Sequence, residues 1–288
     1  MVLLSRQAWQ TEQEVHHARA AQWVEPHLER RRRGEKHAVW DFLFDYYRLR
    51  PNHLYKWHPG VGRSMADASE APQAHWRDYL LSEDGTVTFD AQGFVERRYH
   101  GIEEIHLLLS KTIHRTPQFD CFGLHEWAMV YHDEAPRHDL PLRLGPAGTD
   151  AVVDKHRLKC THYDAYRFFT KPALPLNLTV LKRETQAVND QPGCVHVSMD
   201  LYKWAVKMGP LVPGDLLLDC FELAVQARKL DMEASPYDCR ALGFEVVPIE
   251  TPEGKTEYVH RQRKLTRQAT RLRERLLNLL DSDLFQIG

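Results

Sequence analysis

The 288-residue sequence has no apolar run long enough to span a membrane; Leu216-Leu217-Leu218 is typical of its longest. The opening MVLLSRQAWQ lacks a basic stretch followed by an apolar one, so no secretory signal is expected. No CxxC pair occurs among the five cysteines Cys121, Cys160, Cys194, Cys220 and Cys239, which argues against a zinc ribbon or a disulfide framework. A reduced, cytoplasmic setting is the expectation. Excess charge is missing too: 38 Lys and Arg against 40 Asp and Glu exclude a strongly basic architectural nucleic-acid binder, though not a local basic patch. There is no internal repeat and no low-complexity tract.

What is present reads as mainly α: a single helical domain over residues 1–288 with two small β-hairpins, and a boundary, if any, in the loop 132–148. Trp9, Val15, Ala20, Val24 and Leu28 recur at helical spacing, with Pro26 set to kink or divide the segment. Arg30 to Arg33 lead to Gly34, cations and a glycine where a helix stops. Further helices are expected over Ala38–Arg48 and 102–114, from Pro213 to about Ser235, and along Leu265, Ala269, Leu272, Leu276 and Leu279. Hairpins are expected where Thr86–Phe89 and Phe94–Arg98 flank Asp90–Gly93, and where Phe244–Ile249 and Lys255–Val259 flank Thr251–Gly254.

Three segments carry more titratable and aromatic groups than a core requires: GLHEWAMVYH (123–132), CTHYDAYRFF (160–169) and HVSMDLYKW (196–204). A pocket for a flat heterocycle needs ring faces for stacking and polar edges for reading, and these segments supply both. The substrate-binding candidates are His125, Trp127, Tyr163, Asp164, Tyr166, Arg167, Tyr202, Lys203 and Trp204. Asp200, among Met199, Leu201, Tyr202 and Trp204, is the first candidate for a carboxylate that activates water, since apolar burial raises a carboxyl pKa. Glu126 is the second, with His162 to position the water. The same residues admit a plainer account, as half-buried aromatics and i,i+3 surface ion pairs.

The seventeen histidines raise the question of a metal. His156, Cys160 and His162, or His125 and His132, would share helix faces, but neither set matches a complete ligand motif. No metal and no cofactor are expected. For polyanions there are two basic stretches, 27–37 and 255–275; the second has eight Lys or Arg against Glu257 and Glu274. Its other reading is the solvated face of an amphipathic helix.

The run His58-Pro59-Gly60-Val61-Gly62-Arg63-Ser64-Met65-Ala66 resembles the hairpin of the helix-hairpin-helix DNA glycosylases. In that family the glycine amides approach a DNA phosphate and a catalytic Asp lies downstream. The resemblance implies a phosphate role for Gly60 and Gly62, and a place for Asp84 near the carboxylate. Over most of its length the chain is also similar to bacterial proteins designated 3-methyladenine DNA glycosylases, notably around His125, His162, Asp200 and Tyr237. The implied activity is hydrolysis of the N-glycosidic bond of alkylated purines, with duplex DNA as partner and Arg30, Arg31, Arg32 and Arg33 at phosphates. A base-excision enzyme of this kind flips the base into an aromatic pocket, here Trp127, Tyr163, Tyr166 and Trp204. Two other classes stay open: a metal- or haem-dependent helical enzyme acting on a small molecule, and a non-catalytic protein whose basic face docks on an acidic partner.

Overall fold

The hydroxyl of Ser5 accepts a hydrogen bond from the Ala8 amide, and from that cap a single helix, α1 (Arg6–Arg32), runs through Pro26 without dividing. Trp9, His16, Ala20, Val24 and His27 form its buried stripe, and Arg30, Arg31 and Arg32 occupy the last turn, where cations oppose the helix dipole. The computed structural model describes residues 1–47, 50–133 and 138–281. Among these are ten further α-helices. They are α2 (Phe42–Asp45), α3 (Pro51–Tyr55), α4 (Ala91–Ile113), α5 (Leu124–Ala128), α6 (Gly145–Asp154), α7 (Tyr163–Tyr166), α8 (Gln186–Asn189), α9 (Val195–Met208), α10 (Gly214–Glu233) and α11 (Pro252–Leu280). Four short strands, β1 (Val2–Leu4), β2 (Arg63–Met65), β3 (Tyr79–Leu81) and β4 (Val87–Phe89), form one sheet in the order β1-β2-β4-β3. The protein is mainly α. Among the described residues no helix is long and apolar enough to cross a membrane.

Neither expected hairpin forms as read. β4 pairs instead with β3, Tyr79 opposite Phe89 and Leu81 opposite Val87, around a turn at Gly85. Asp90, read as a loop residue, caps α4: its carboxylate accepts from the Gly93 amide at 3.0 Å. Phe94, Val95, Ile102, Ile105 and Leu109 then follow as a buried helical stripe. The second hairpin fails for the same reason. Thr251 accepts from the Gly254 amide at 3.0 Å and Pro252 takes the first position of α11, so Thr-Pro-Glu-Gly is a helix start. The α2 helix occupies only part of Ala38–Arg48, and Arg48 lies outside the described residues, as do 134–137 of the expected loop.

The chain divides into two compact units, each discontinuous in sequence, with boundaries inside helices. Unit 1 comprises Met1–Leu109, Leu201–Glu222 and the chain from Leu272. It contains the sheet and a core that includes Trp9, Val24, Leu43, Leu54, Met65, Val87, Tyr202 and Phe221. Unit 2 comprises Ser110–Asp200 and Leu223–Arg271. Its core includes Leu124, Trp127, Val153, Leu158, Met199, Met232, Tyr258 and Leu265. The Trp127 indole N–H donates to the Ala234 carbonyl at 2.9 Å, which satisfies the one polar atom of a side chain with no exposure.

Candidate active centre

Unit 2 gathers His125 and Glu126 from α5, His162 and Asp164 at the start of α7, His196 and Asp200 from α9, and Arg228 and Asp231 from α10. The local reasons are simple. Gly123 adopts a left-handed conformation (φ 74°), where an added Cβ would lie 3.2 Å from the Tyr258 ring. From that tight turn α5 enters the interior with all five of its residues buried. His196 and Asp200 lie at i,i+4 on one face of α9, and Arg228 and Asp231 at i,i+3 on α10. All eight side chains are buried, Asp231 completely.

Asp231 is the hub. It accepts from His125 Nε2 at 2.7 Å and from Arg228 Nη1 at 2.9 Å; the same Arg228 nitrogen donates to Glu126 at 3.2 Å. Burial opposes charge on His125, but the adjacent Asp231 carboxylate overrides it and holds the imidazole pKa well above its ordinary value. Asp231 is held low, because the His125 and Arg228 charges outweigh its desolvation. His196 behaves oppositely: burial, then the charges of His125 and His162, push its pKa well below the usual value. Its ring sits edge-on to His125 at 4.4 Å and parallel to His162 at 5.7 Å. Its Nδ1 has no hydrogen-bond partner, and Nε2 lies 3.8 Å from Asp231, beyond hydrogen-bonding reach.

A second arrangement adjoins the first through His162. Asp190 binds its Nδ1 at 2.9 Å and is itself held by the Gln186 amide at 2.9 Å. The other ring nitrogen, Nε2, faces Asp200 at 3.7 Å. Asp164 is paired with Arg167 at 3.0 Å and Arg183 at 3.2 Å. One ligand atom each from His125, Glu126, His196 and Asp231 lie within 4.8 Å of one another, and so do those of His162, Asp164 and Asp200.

Of the expected site residues, the structure therefore brings together His125, Glu126, His162, Asp164 and Asp200. Trp127 is core, with Arg143 over its ring. Tyr166 is buried, Tyr163 lies under the Arg183 guanidinium, and Arg167 stacks on Phe168. Tyr202, Lys203 and Trp204 belong to unit 1, where Tyr202 packs edge-on against Tyr47 and Phe221 and Lys203 lies over Trp204. In the same unit Arg30 is tied to Asp41 at 2.6 Å, Arg32 and Arg33 pair with Glu29, and Arg31 is exposed. Gly60 and Gly62 lie between α3 and strand β2 rather than between two helices; an added Cβ on Gly60 would meet Pro213 at 2.9 Å. Asp84 sits in the exposed β3–β4 turn, accepting from the Thr86 amide.

The histidine spacings considered for a metal are not realised on helices. His156, Cys160 and His162 lie in the segment between α6 and α7, and His132 pairs with Asp150 at the surface. Sequence reasoning missed His196, Asp231, Arg228 and Asp190. His196-x3-Asp200 was legible as an i,i+4 pair, whereas Asp231 stands in a helix whose apolar stripe dominates the pattern. Comparison of the chain with protein-family models, curated proteins and solved structures finds no match.

Proposed function

We propose that the protein is a hydrolase whose reaction takes place at the imidazole–carboxylate layer of unit 2, and that the bond cleaved is the N-glycosidic bond of an alkylated purine in DNA. The observation that supports an enzyme is the setting of His162. Asp190 fixes one ring nitrogen at 2.9 Å and leaves the other facing Asp200 at 3.7 Å. An imidazole oriented by one carboxylate and presented to a second is equipped to position a water and share its proton. Asp200 takes that proton as the water oxygen bonds to the anomeric carbon. The alkylated purine, cationic while attached, takes the electron pair of the broken C–N bond and leaves as the neutral base without strong acid assistance. The substrate class follows the resemblance described above. Since Asp200 and His162 are buried, the reading requires substrate to open the layer.

The test is release of 3-methyladenine from methylated duplex DNA. Wild-type protein releases base, Asp200→Asn lowers the rate by at least about 100-fold, in the range of general-base catalysis, and Glu126→Gln lowers it less. Absence of release by the wild-type protein removes the glycosidic reading, and unchanged release by Asp200→Asn removes Asp200 as its base.

A further inference from the structure

We infer that His125, Glu126, His196 and Asp231 form a binding site for one divalent transition-metal ion. The site shares its place with the proposed hydrolytic centre and would serve it, but binding is measurable without any substrate.

His196 is buried, its Nδ1 is unpartnered, and its Nε2 is 3.8 Å from an Asp231 carboxylate oxygen. Buried polar groups are nearly always paired, and leaving one unpaired costs about 1–3 kcal/mol. A salt-bridge network made only of His125, Arg228, Glu126 and Asp231 closes on itself and has no use for a second imidazole. A metal ion does. Each of the four residues offers one ligand atom, and these four atoms all lie within 4.8 Å of one another, close enough to converge on a single ion.

The donor set selects the class of ion. Two imidazoles, with His125 releasing to solvent the proton it shares with Asp231, and two carboxylates suit zinc and the divalent ions of manganese, iron and cobalt. Calcium and magnesium prefer all-oxygen surroundings. The carboxylates have capacity to spare. A carboxylate offers roughly four acceptor positions; Asp231 is engaged by His125, Arg228 and Glu126, and Glu126 by Arg228 and Asp231. Arg228 then does what outer-shell groups do at metal centres, fixing the orientation of ligating carboxylates and offsetting their charge. The neighbouring group of His162, Asp164 and Asp200 is a weaker candidate, because it offers three ligand residues and one imidazole where the first offers four and two.

The full chain, stripped with a chelator and dialysed against Zn²⁺ or Co²⁺, is expected to retain about one equivalent, with visible ligand-field bands for cobalt. His196→Gln keeps its far-ultraviolet dichroism but loses affinity by at least about 100-fold. His132→Gln, a surface histidine, binds as wild type does. His196→Phe, metal-free, melts no lower than metal-free wild type, since it removes an unpaired group. The proposal is overturned by wild-type protein that retains neither ion at stoichiometric level, by His196→Gln that binds as tightly as wild type, or by loss of binding in His132→Gln. Metal bound without any base release would spare the site and remove the glycosidic reading; base release by protein that binds no metal would do the reverse.

Discussion

Replacing Arg228 by Met tests whether unit 2 is held together electrostatically around Asp231. Arg228 is among the largest fully buried side chains, and one of its nitrogens bridges Asp231 at 2.9 Å and Glu126 at 3.2 Å. Methionine fills most of the volume but leaves two buried carboxylates with His125 as the neighbouring cation. Two hydrogen bonds to charged groups, at about 1.5–3 kcal/mol each, set the scale, and breaking one side of a buried ion pair costs roughly 3–5 kcal/mol. The expected loss is about 4 kcal/mol, a fall in melting temperature of roughly 10 °C for a chain of this size. Urea unfolding in chelator, followed by far-ultraviolet dichroism and tryptophan fluorescence, measures it. Adding Glu126→Gln to Arg228→Met removes one stranded charge and should restore about 1–2 kcal/mol, the coupling expected for direct partners. A loss below about 1 kcal/mol for Arg228→Met, or no recovery in the double variant, would refute the reasoning.

Two further outcomes concern unit 1. Asp41 is held below the ordinary carboxyl pKa: burial works against this, but Arg30, His27 and the His37 amide favour its charged form more strongly. Its contribution is therefore complete above about pH 4 and fades as the pH falls through the lower folded value, so Asp41→Asn should cost about 2 kcal/mol at pH 7 and progressively less on acidification. A wild-type-to-variant gap in urea midpoint that stays the same at pH 3 would contradict the assignment. Gly60→Ala should cost about 2–4 kcal/mol, because φ is +90° and the new Cβ meets Pro213 at 2.9 Å, whereas Gly62→Ala, at +79° in open space, should cost about 1 kcal/mol. Equal melting temperatures for the two would show that the Pro213 contact does not constrain the chain.

The sequence made helices legible but not all of their starts: Pro213 marked that of α10, and those of α4 and α11 were missed. The stripes along α4 and α11 were visible, yet Asp90 and Thr251, followed by Gly and Pro residues, looked like turns because helix caps and turns draw on the same residues. Only the side-chain bond from Asp90 to the Gly93 amide separates the two. The centre was half legible for a related reason. His125, Glu126, His162 and Asp200 stood out because polar groups interrupted apolar or aromatic surroundings. Asp231 and Arg228 did not, since a helical i,i+3 acid–base pair on the solvent side has the same spacing as one turned inward. Trp127 and Tyr202 were chosen for their rings, and rings are what cores are made of.

The interleaving of the two units dictates when a growing chain can fold. Unit 2 is incomplete until Arg271 has been made, because α10 and α11 supply Asp231 and Tyr258 to it. Unit 1 waits for the segment from Leu272, although its helix α1 is made long before that segment. Neither unit is therefore finished while the stretch between α1 and Leu272 is being made, and apolar stripes such as that of α1 wait for partners distant in sequence. Contacts this distant in sequence close slowly. Nascent chains of this protein should be long-lived clients of whatever chaperones meet them at the exit tunnel, and stalling short of Leu272 should release only aggregation-prone fragments.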